Sequence, residues 1–273
     1  MRKFYFSRTQ LCIPYSVFLA LFIIVPMLLI LLYAFSDTDA AGNLYFSLNN
    51  FAEFFTSASK LQTLGVSVTI AFITTFFCLL IAYPVAYILA RSGWKQTYVL
   101  LMLFILPMWL NFVLRITALR ELLNMIGFLG KYDYVNTVIG MVYDFLPFMI
   151  LPLYNSLQKL DKSLLEAATD LGADPVHTFM HVTLPLSMPG ILSGITMVFM
   201  PSMTNYVVSE TLGNSNITIL GKMIEEYFST YDDMHMGSLI SIILLVIIFI
   251  TMLLSGGFKE DDNESSARGA GLW

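Results

Sequence analysis

Two carboxylates stand in or beside long uncharged stretches of this sequence, where an ionised side chain is costly. Asp144 is the one charged residue between positions 134 and 158, and Glu210 directly follows the uncharged stretch 182–209. Charges in such surroundings mark ion or substrate routes, or they pair with an opposite charge. Both are therefore candidates for attracting a cationic substrate, and Arg115 is assigned to the same route. The structural alternative is that either carboxylate pairs with Arg115.

Aromatic side chains in the same segments could help to hold an ammonium group. A cation over the face of a Trp or Tyr ring is attracted by the π electrons of that ring. Trp109, Tyr143 and Tyr206 are the candidates for this role. The alternative for each of them is plain packing or a place in the aromatic belt at the membrane interface.

Other chemistry has less support in the sequence. His177 and His181 have a spacing that suits a metal, but no third ligand is evident, and we expect solvated loop histidines. Two segments resemble the phosphate-binding pattern G-x4-G-K-[ST] but do not match it. Residues 127–131 have the wrong spacing, and 221–222 are followed by Met223 in place of Ser or Thr. No nucleophile–base cluster is evident either. We expect no enzyme activity and no cofactor, metal or ATP bound by this chain.

Composition indicates the elements that hold these residues. Only 12% of the 273 residues are charged, against about 25% in soluble domains. The mean hydropathy is +0.75, and the net charge of −5 offers no basic surface for nucleic acid. A helix needs about 20 apolar residues to cross the hydrocarbon core, where its backbone groups must be satisfied internally. The segments that meet or approach this length are 11–36, 62–90, 96–116, 134–157, 184–210 and 236–256.

We therefore expect an all-α, polytopic membrane protein with about six transmembrane helices in one domain, 1–273. The first segment follows a basic start, but it is longer than a signal-peptide core and lacks an obvious cleavage site, so we expect it to be retained. With the N-terminus inside, nine Lys and Arg residues are cytoplasmic and five are outside. This bias predicts a cytoplasmic-membrane protein with both termini cytoplasmic. The polar tail 259–273 is expected to be disordered.

The longest inner loop, 159–183, carries clear helix signals. Ser163 and Glu166 have the spacing of a capping box, which predicts a helix with Ser163 as its N-cap. Gly172 lies where a left-handed residue would end that helix. Asp174 and the proline after it predict the start of a second short helix. Such linkers are common, so these signals alone do not specify a function.

The same loop resembles the EAA motif of ABC importer permeases. The matching residues are Glu166-Ala167-Ala168, then Gly172 after three residues, then Val182-x-Leu184-Pro185 after nine more, with Val182 in place of Ile. In that family the loop forms a coupling helix that docks on a cytoplasmic ATPase subunit. The resemblance implies a type I-like permease with kinked, pore-lining helices. It also implies that coupling depends on Ser163, Glu166, Ala167, Ala168, Asp170, Gly172, Leu184 and Pro185.

Further segments, 106–115, 146–154 and 185–190, resemble the permease subunits of spermidine/putrescine importers, and the likeness covers about 60–255. It implies a polyamine substrate, a second homologous permease, a dimer of ATPase subunits that binds ATP and Mg, and an external substrate-binding protein. Permeases for iron, thiamine or phosphonates share much of this pattern and remain alternatives. An ion-coupled secondary carrier is the alternative from another class.

Overall fold

The structure is a computed structural model that describes residues 13–39, 42–94, 96–214 and 216–254. These residues are overwhelmingly helical, which confirms the all-α prediction, and they add one two-stranded hairpin. The described chain divides into two compact units, one made of residues up to 61 with 223–246 and the other of 62–222 with the residues from 247 onward. The predicted tail 259–273 and the start of the predicted span 11–36 lie outside the described residues.

The elements follow one another with short connections. The first are α1 (Ile13–Leu19), a π-helical turn (Ala20–Ile24), α2 (Val25–Ala34), β1 (Ser36–Thr38), β2 (Leu44–Phe46) and α3 (Asn49–Thr56). Next come α4 (Ala58–Arg91), α5 (Thr97–Ile105), a 3-10 turn (Leu106–Trp109), α6 (Phe112–Met125) and α7 (Asp133–Lys159). The last are α8 (Lys162–Asp170), α9 (Pro175–Thr178), a second π-helical turn (Phe179–Thr183), α10 (Leu184–Leu186), α11 (Met188–Thr204), α12 (Tyr206–Leu212), α13 (Leu220–Ser229) and α14 (Met234–Leu254).

Among the described residues, four continuous helices are long and apolar enough to cross a membrane, and two bent pairs raise the number to as many as six. The continuous helices are Pro14–Ala34, Ala58–Arg91, Asp133–Lys159 and Met234–Leu253. The bent pairs are Thr97–Trp109 with Phe112–Met125, at 98°, and Pro175–Leu186 with Met188–Thr204, at 63°. About six spans were predicted, and the helices agree with that number when each bent pair counts once.

The segment predicted as one span over 96–116 is sharply broken instead. Its first helix ends at Ile105, and a 3-10 turn that contains Pro107 follows. Proline has no amide hydrogen to donate, which favours an interruption here. Asn111 then starts α6 because its side chain accepts hydrogen bonds from the backbone N–H groups of Val113 and Leu114, at 3.0 and 3.3 Å.

The segment predicted as one span over 184–210 is also interrupted. α11 contains Pro201 and ends at Thr204, and α12 begins at Tyr206. Between them Asn205 leaves the helical conformation, with a ψ angle of 73°. At this break the polar side chain of Asn205 reaches Asp144 on α7, within the second unit.

In the first unit, His235 joins three elements. One ring nitrogen, Nδ1, lies 3.0 Å from the carbonyl oxygen of Tyr33, and the other, Nε2, lies 2.8 Å from the hydroxyl of Thr38. A carbonyl can only accept a hydrogen bond, so Nδ1 carries a proton. The hairpin that begins at Ser36 is therefore tied to the start of α14.

In the second unit, α7 and α11 pack closely because two glycines, which have no side chain, lie at their contact. A Cβ atom on Gly190 would lie 2.8 Å from the carbonyl oxygen of Pro152, and one on Gly194 would lie 2.5 Å from the sulfur of Met149. Both distances are too short for real contacts. The Gly190-x3-Gly194 spacing therefore allows the close helix approach that it is typical of in membrane proteins.

Candidate functional site

The first helix of the inner loop, α8, begins two residues before the predicted start. Asp161 is its N-cap, and its carboxylate accepts the backbone N–H of Ser163 at 3.0 Å. The predicted N-cap at Ser163 is therefore wrong, and Glu166 cannot close a capping box with it. Asp161 has extended backbone angles, so it can cap the earlier turn. This hydrogen bond lowers the pKa of Asp161.

Gly172 ends α8 in the left-handed conformation that was predicted, with φ of +84°. Its N–H bonds to the carbonyl of Thr169 at 2.9 Å, and the N–H of Ala173 bonds to that of Ala168 at 3.0 Å. These two bonds form a Schellman motif, which satisfies the last carbonyls of the helix. A side chain at Gly172 would meet open space, so only backbone strain opposes its replacement.

The second short helix, α9, begins as predicted. Asp174 accepts the N–H of His177 at 2.6 Å, and Pro175 occupies the first helical position. The helix continues through the second π-helical turn into α10. His177 and His181 stack with ring centroids 3.9 Å apart. No group of three or more potential metal ligands occurs within the part of the chain that the structure describes.

The tip of the inner loop exposes apolar side chains. Leu171 is 89% exposed and Val176 is 71% exposed, and they flank the turn at Gly172. Glu166, Ala167 and Asp170 are exposed as well, whereas Ala168 is partly covered. At the end of the loop, Leu184 packs partly against the core and Pro185 is exposed.

Asp144 forms a buried ion pair with Arg115. The carboxylate lies on α7 and the guanidinium on α6, and the two residues are only 3% and 8% exposed. Asn205 donates to the second carboxylate oxygen at 3.3 Å, and Arg115 also donates to the carbonyl of Pro107 at 2.7 Å. The ring centroid of Tyr143 lies 5.8 Å from the guanidinium carbon. This geometry matches the structural alternative for Asp144, in which the carboxylate pairs with Arg115.

Glu210 pairs with Lys222 instead of Arg115. The carboxylate oxygen and the ammonium nitrogen are 3.7 Å apart, and the side chains are 49% and 25% exposed. The same ammonium lies 5.6 Å from the ring centroid of Tyr206. Trp109 is 86% exposed, and none of the cations in the described residues lies over its ring.

Residues 82–258 match the model of the family described as "binding-protein-dependent transport system inner membrane component". The chain belongs to this permease family. It is also 35% identical over 253 residues to the spermidine/putrescine transport system permease protein PotB of Escherichia coli K12. The aligned region covers 86% of this chain and 92% of that protein. The Haemophilus influenzae PotB is 35% identical over 258 residues, covering 88% and 90%. A PotB homolog of Mycoplasma genitalium is 31% identical over 227 residues, covering 77% and 76%.

Solved ABC transporter structures share the fold of this permease. One chain of a bacterial ABC transporter that imports the acidic polysaccharide alginate superposes with a TM-score of 0.69 at 13% identity, over 92% of this chain and 94% of that one. A chain of the inward-facing MetNI methionine ABC transporter gives a TM-score of 0.55 at 17% identity, over 74% and 97%. The predicted resemblance to ABC importer permeases is confirmed. The chain is a multi-pass inner-membrane subunit of a transporter complex.

Two residues that contact the candidate carboxylates of this permease were not predicted. Asn205 carries no charge and lies in an apolar stretch, and the one signal in the sequence was its position four residues after Pro201. Lys222 was assigned to an outer loop without a role, although its opposite charge to Glu210 twelve residues earlier was visible. Asp144, Arg115 and Tyr143 come together as a group, and Glu210 and Tyr206 come together with Lys222.

Proposed function

We propose that this permease forms half of the transmembrane route of a polyamine importer, for spermidine and putrescine. The observation that carries the proposal is the 35% identity, over most of the chain, to curated spermidine/putrescine permeases. Relatives of this length and similarity that share one substrate class support the same class here. The surroundings of Glu210, where a carboxylate and the Tyr206 ring lie beside an ammonium group, are consistent with a cationic substrate.

Energy for transport comes from a separate ATPase subunit in this proposal. The chain lacks the phosphate-binding pattern, so the lever is the inner loop with α8 and α9. Each helix is capped by an aspartate side chain, which defines where it begins. Its exposed Leu171 and Val176 offer apolar contacts to a groove on the ATPase. The coupling residues are those of the EAA motif, together with Ser163 and Asp170.

The complete transporter contains a second homologous permease, two ATPase subunits that carry ATP and Mg, and an external substrate-binding protein. A solved alginate transporter of the same fold is in complex with its substrate-bound periplasmic protein, and this supports such an assembly. We place both termini and the loop that holds Gly172 in the cytoplasm, since the inner loops carry the excess of Lys and Arg.

Glu210 and Tyr206 are the substrate-route residues that the geometry supports best. A carboxylate and an aromatic ring already hold one primary ammonium there, that of Lys222. Polyamines carry the same chemical group, so an incoming substrate could replace it at similar cost. Asp144 remains a proposed route residue, with its charge now balanced by Arg115. Trp109 and Tyr143 remain predictions.

Uptake in proteoliposomes tests the proposal. The permease is reconstituted with its partner permease, ATPase and binding protein, and labelled spermidine and putrescine are offered with ATP or with a proton gradient. We expect labelled polyamine to accumulate only when ATP is present on the side of the membrane where the ATPase lies. Uptake driven by the proton gradient without ATP would instead establish a secondary carrier. Transport of iron, thiamine or phosphonate in place of polyamines would overturn the substrate.

Gly172→Val tests the loop within the same assay. A residue with a Cβ in the left-handed conformation costs about 1–2 kcal/mol, so the end of α8 should rearrange. We expect the variant to reach the membrane but to lose most ATP-driven uptake. Gly127→Val is the matched control, since Gly127 ends α6 in an equivalent Schellman motif with φ of +68°. Unchanged uptake and ATPase stimulation in Gly172→Val would contradict the assignment of the loop.

A further inference from the structure

We propose that one face of α4 clamps both ends of the coupling loop, so that this helix is moved directly when the loop moves. The clamp consists of Tyr83, Tyr87 and Arg91, which recur at intervals of four residues and so form one stripe on the helix. The inference rests on the proposed function, in which the loop with α8 and α9 transmits the work of an ATPase. It adds a route into a span that is not adjacent to the loop in sequence.

The first contact is a buried hydrogen bond just after the loop, at Ser187. The hydroxyl oxygens of Tyr83 and Ser187 are 2.8 Å apart, and the two residues are 8% and 0% exposed. The hydroxyl of Ser187 also donates to the carbonyl of Leu184 at 3.0 Å. A serine hydroxyl has one proton to donate, so Tyr83 must be the donor to Ser187. The chain that leaves the loop is thereby held to α4 through a two-bond relay.

The second contact is aromatic and lies within the loop, at Phe179. The ring of Phe179 meets the rings of Tyr83 and Tyr87 with centroids 5.6 and 5.8 Å apart and interplanar angles of 89° and 86°. These are edge-to-face arrangements, which aromatic pairs favour. Phe179 is the first residue of the second π-helical turn, directly after α9. The turn that follows the coupling helix is therefore seated on α4.

The third contact holds the beginning of the loop. A guanidinium nitrogen of Arg91 donates to the carbonyl oxygen of Leu160 at 3.3 Å. Leu160 directly follows α7 as its C-cap, and Asp161, which caps α8, comes next. Both chain segments that connect the loop to the membrane helices therefore bear on the same end of α4.

The arrangement predicts how movement is divided. The tip of the loop is exposed and free to contact a partner, while its two stems are tied to a 34-residue helix. Displacement of the loop must either break the three contacts or carry α4 with it. Because the aromatic contact involves two rings of α4 and the hydrogen bond to Ser187 is buried, carrying α4 is the easier outcome. Tyr83, Phe179 and Arg91 are positioning residues for transport, not substrate contacts.

Tyr83→Phe tests the clamp, because it removes one hydroxyl and keeps the ring. The complete transporter is assayed for three quantities: the ATPase that co-purifies, the KM for spermidine, and the spermidine transported per ATP hydrolysed. We expect normal co-purification and KM, and a transport-to-hydrolysis ratio lowered about fivefold, the factor expected for one lost hydrogen bond. Phe179→Leu should lower the same ratio. Tyr154→Phe is the control, a 7% exposed tyrosine of α7 whose hydroxyl makes no hydrogen bond within the described residues.

A double-variant comparison keeps the inference falsifiable if Phe179→Leu fails to fold. Tyr83→Phe combined with Ser187→Ala should lower the ratio by less than the two single variants added together, since each single variant already removes the bond between Tyr83 and Ser187. Ratios equal to wild type in Tyr83→Phe and in this double variant would overturn the clamp while leaving the proposed function intact. A wild-type transporter with no ATP-driven uptake would overturn the proposed function and the clamp together.

Discussion

The second unit contains two pairs of a carboxylate with a cation that differ in almost every physical respect. Arg115 and Asp144 are buried, and Asn205 donates a further hydrogen bond to the carboxylate. Glu210 and Lys222 are separated by 3.7 Å and are about half and one quarter exposed. Each pair also has a tyrosine ring within 6 Å of its cation. Both sites therefore combine a carboxylate, a cation and a tyrosine ring, but they differ greatly in how far these groups are buried.

Depth determines what each pair can contribute. Breaking one side of a buried pair strands an uncompensated charge, at a cost of about 3–5 kcal/mol. An exposed pair contributes roughly 0–1 kcal/mol, because water screens the attraction. The buried pair is therefore suited to fixing the bend between α5 and α6 against α7. The exposed pair is suited to exchange, and a substrate ammonium could enter it without a large loss of stability.

Asp144→Asn should have the largest effect, because it leaves the buried guanidinium of Arg115 without its counter-charge. We expect a loss of about 3 kcal/mol in stability and weaker polyamine transport. Thermal unfolding in nanodiscs measures the first, and spermidine uptake measures the second. Wild-type stability in this variant would contradict the conclusion that the buried pair contributes more to stability than the exposed pair.

A second variant separates structure from transport at the same site. Arg115→Met with Asp144→Leu removes both charges, so most of the lost stability should return. If stability returns and uptake does not, Asp144 belongs to the substrate route. If both return, its role is to hold α6 to α7.

Glu210→Gln should have a smaller and different effect. We expect a stability change below about 1 kcal/mol, together with a raised KM for spermidine, because a neutral amide attracts an ammonium less strongly. Uptake kinetics at low and high salt provide the measurement, and the wild type should lose more affinity with salt than the variant. Glu53→Gln is the control, since Glu53 is 58% exposed and pairs with Lys60, at 2.6 Å, within the first unit. An unchanged KM in Glu210→Gln would contradict a role in substrate attraction.

Hydropathy was enough to predict about six membrane spans, because an uncharged, apolar stretch of about 20 residues matches the thickness of the hydrocarbon core and is rare in soluble proteins. It did not show that two of the predicted segments are interrupted. The left-handed Gly172 and the cap at Asp174 were also predictable, since both depend on residues adjacent in sequence. The pairing of Asp144 could only be offered as an alternative, because partners in other helices are not visible in one sequence. The break at Asn205 was missed for the same reason: its amide is satisfied by a carboxylate 61 residues away.

The start of α8 shows a finer limit of sequence interpretation. Asp161 and Ser163 are both good N-cap residues, and sequence spacing to Glu166 favoured the wrong one. The structure selects Asp161, whose extended backbone and carboxylate fit the first turn. Local signals thus indicated that a helix exists here, but two similar caps left its first residue undecided.

Asp161 provides the smallest expected effect and completes the comparison, because its carboxylate is held by a backbone N–H and not by a cation. That hydrogen bond lowers the pKa of Asp161 below its ordinary value of 3.8. The ionised form is therefore favoured by folding, so its contribution is present above pH 3.8 and is lost as the pH falls through the lowered value. Hydrogen exchange at the amide of Ser163, expressed as protection relative to the free amide, should decrease in that acidic range. Asp161→Ala should lack this protection at every pH, whereas Asp161→Asn, which can still accept the bond, should retain most of it without the pH dependence. Salt should weaken the Glu210–Lys222 attraction and leave this cap almost unchanged, and equal salt sensitivity would show that Asp161 acts through charge pairing instead.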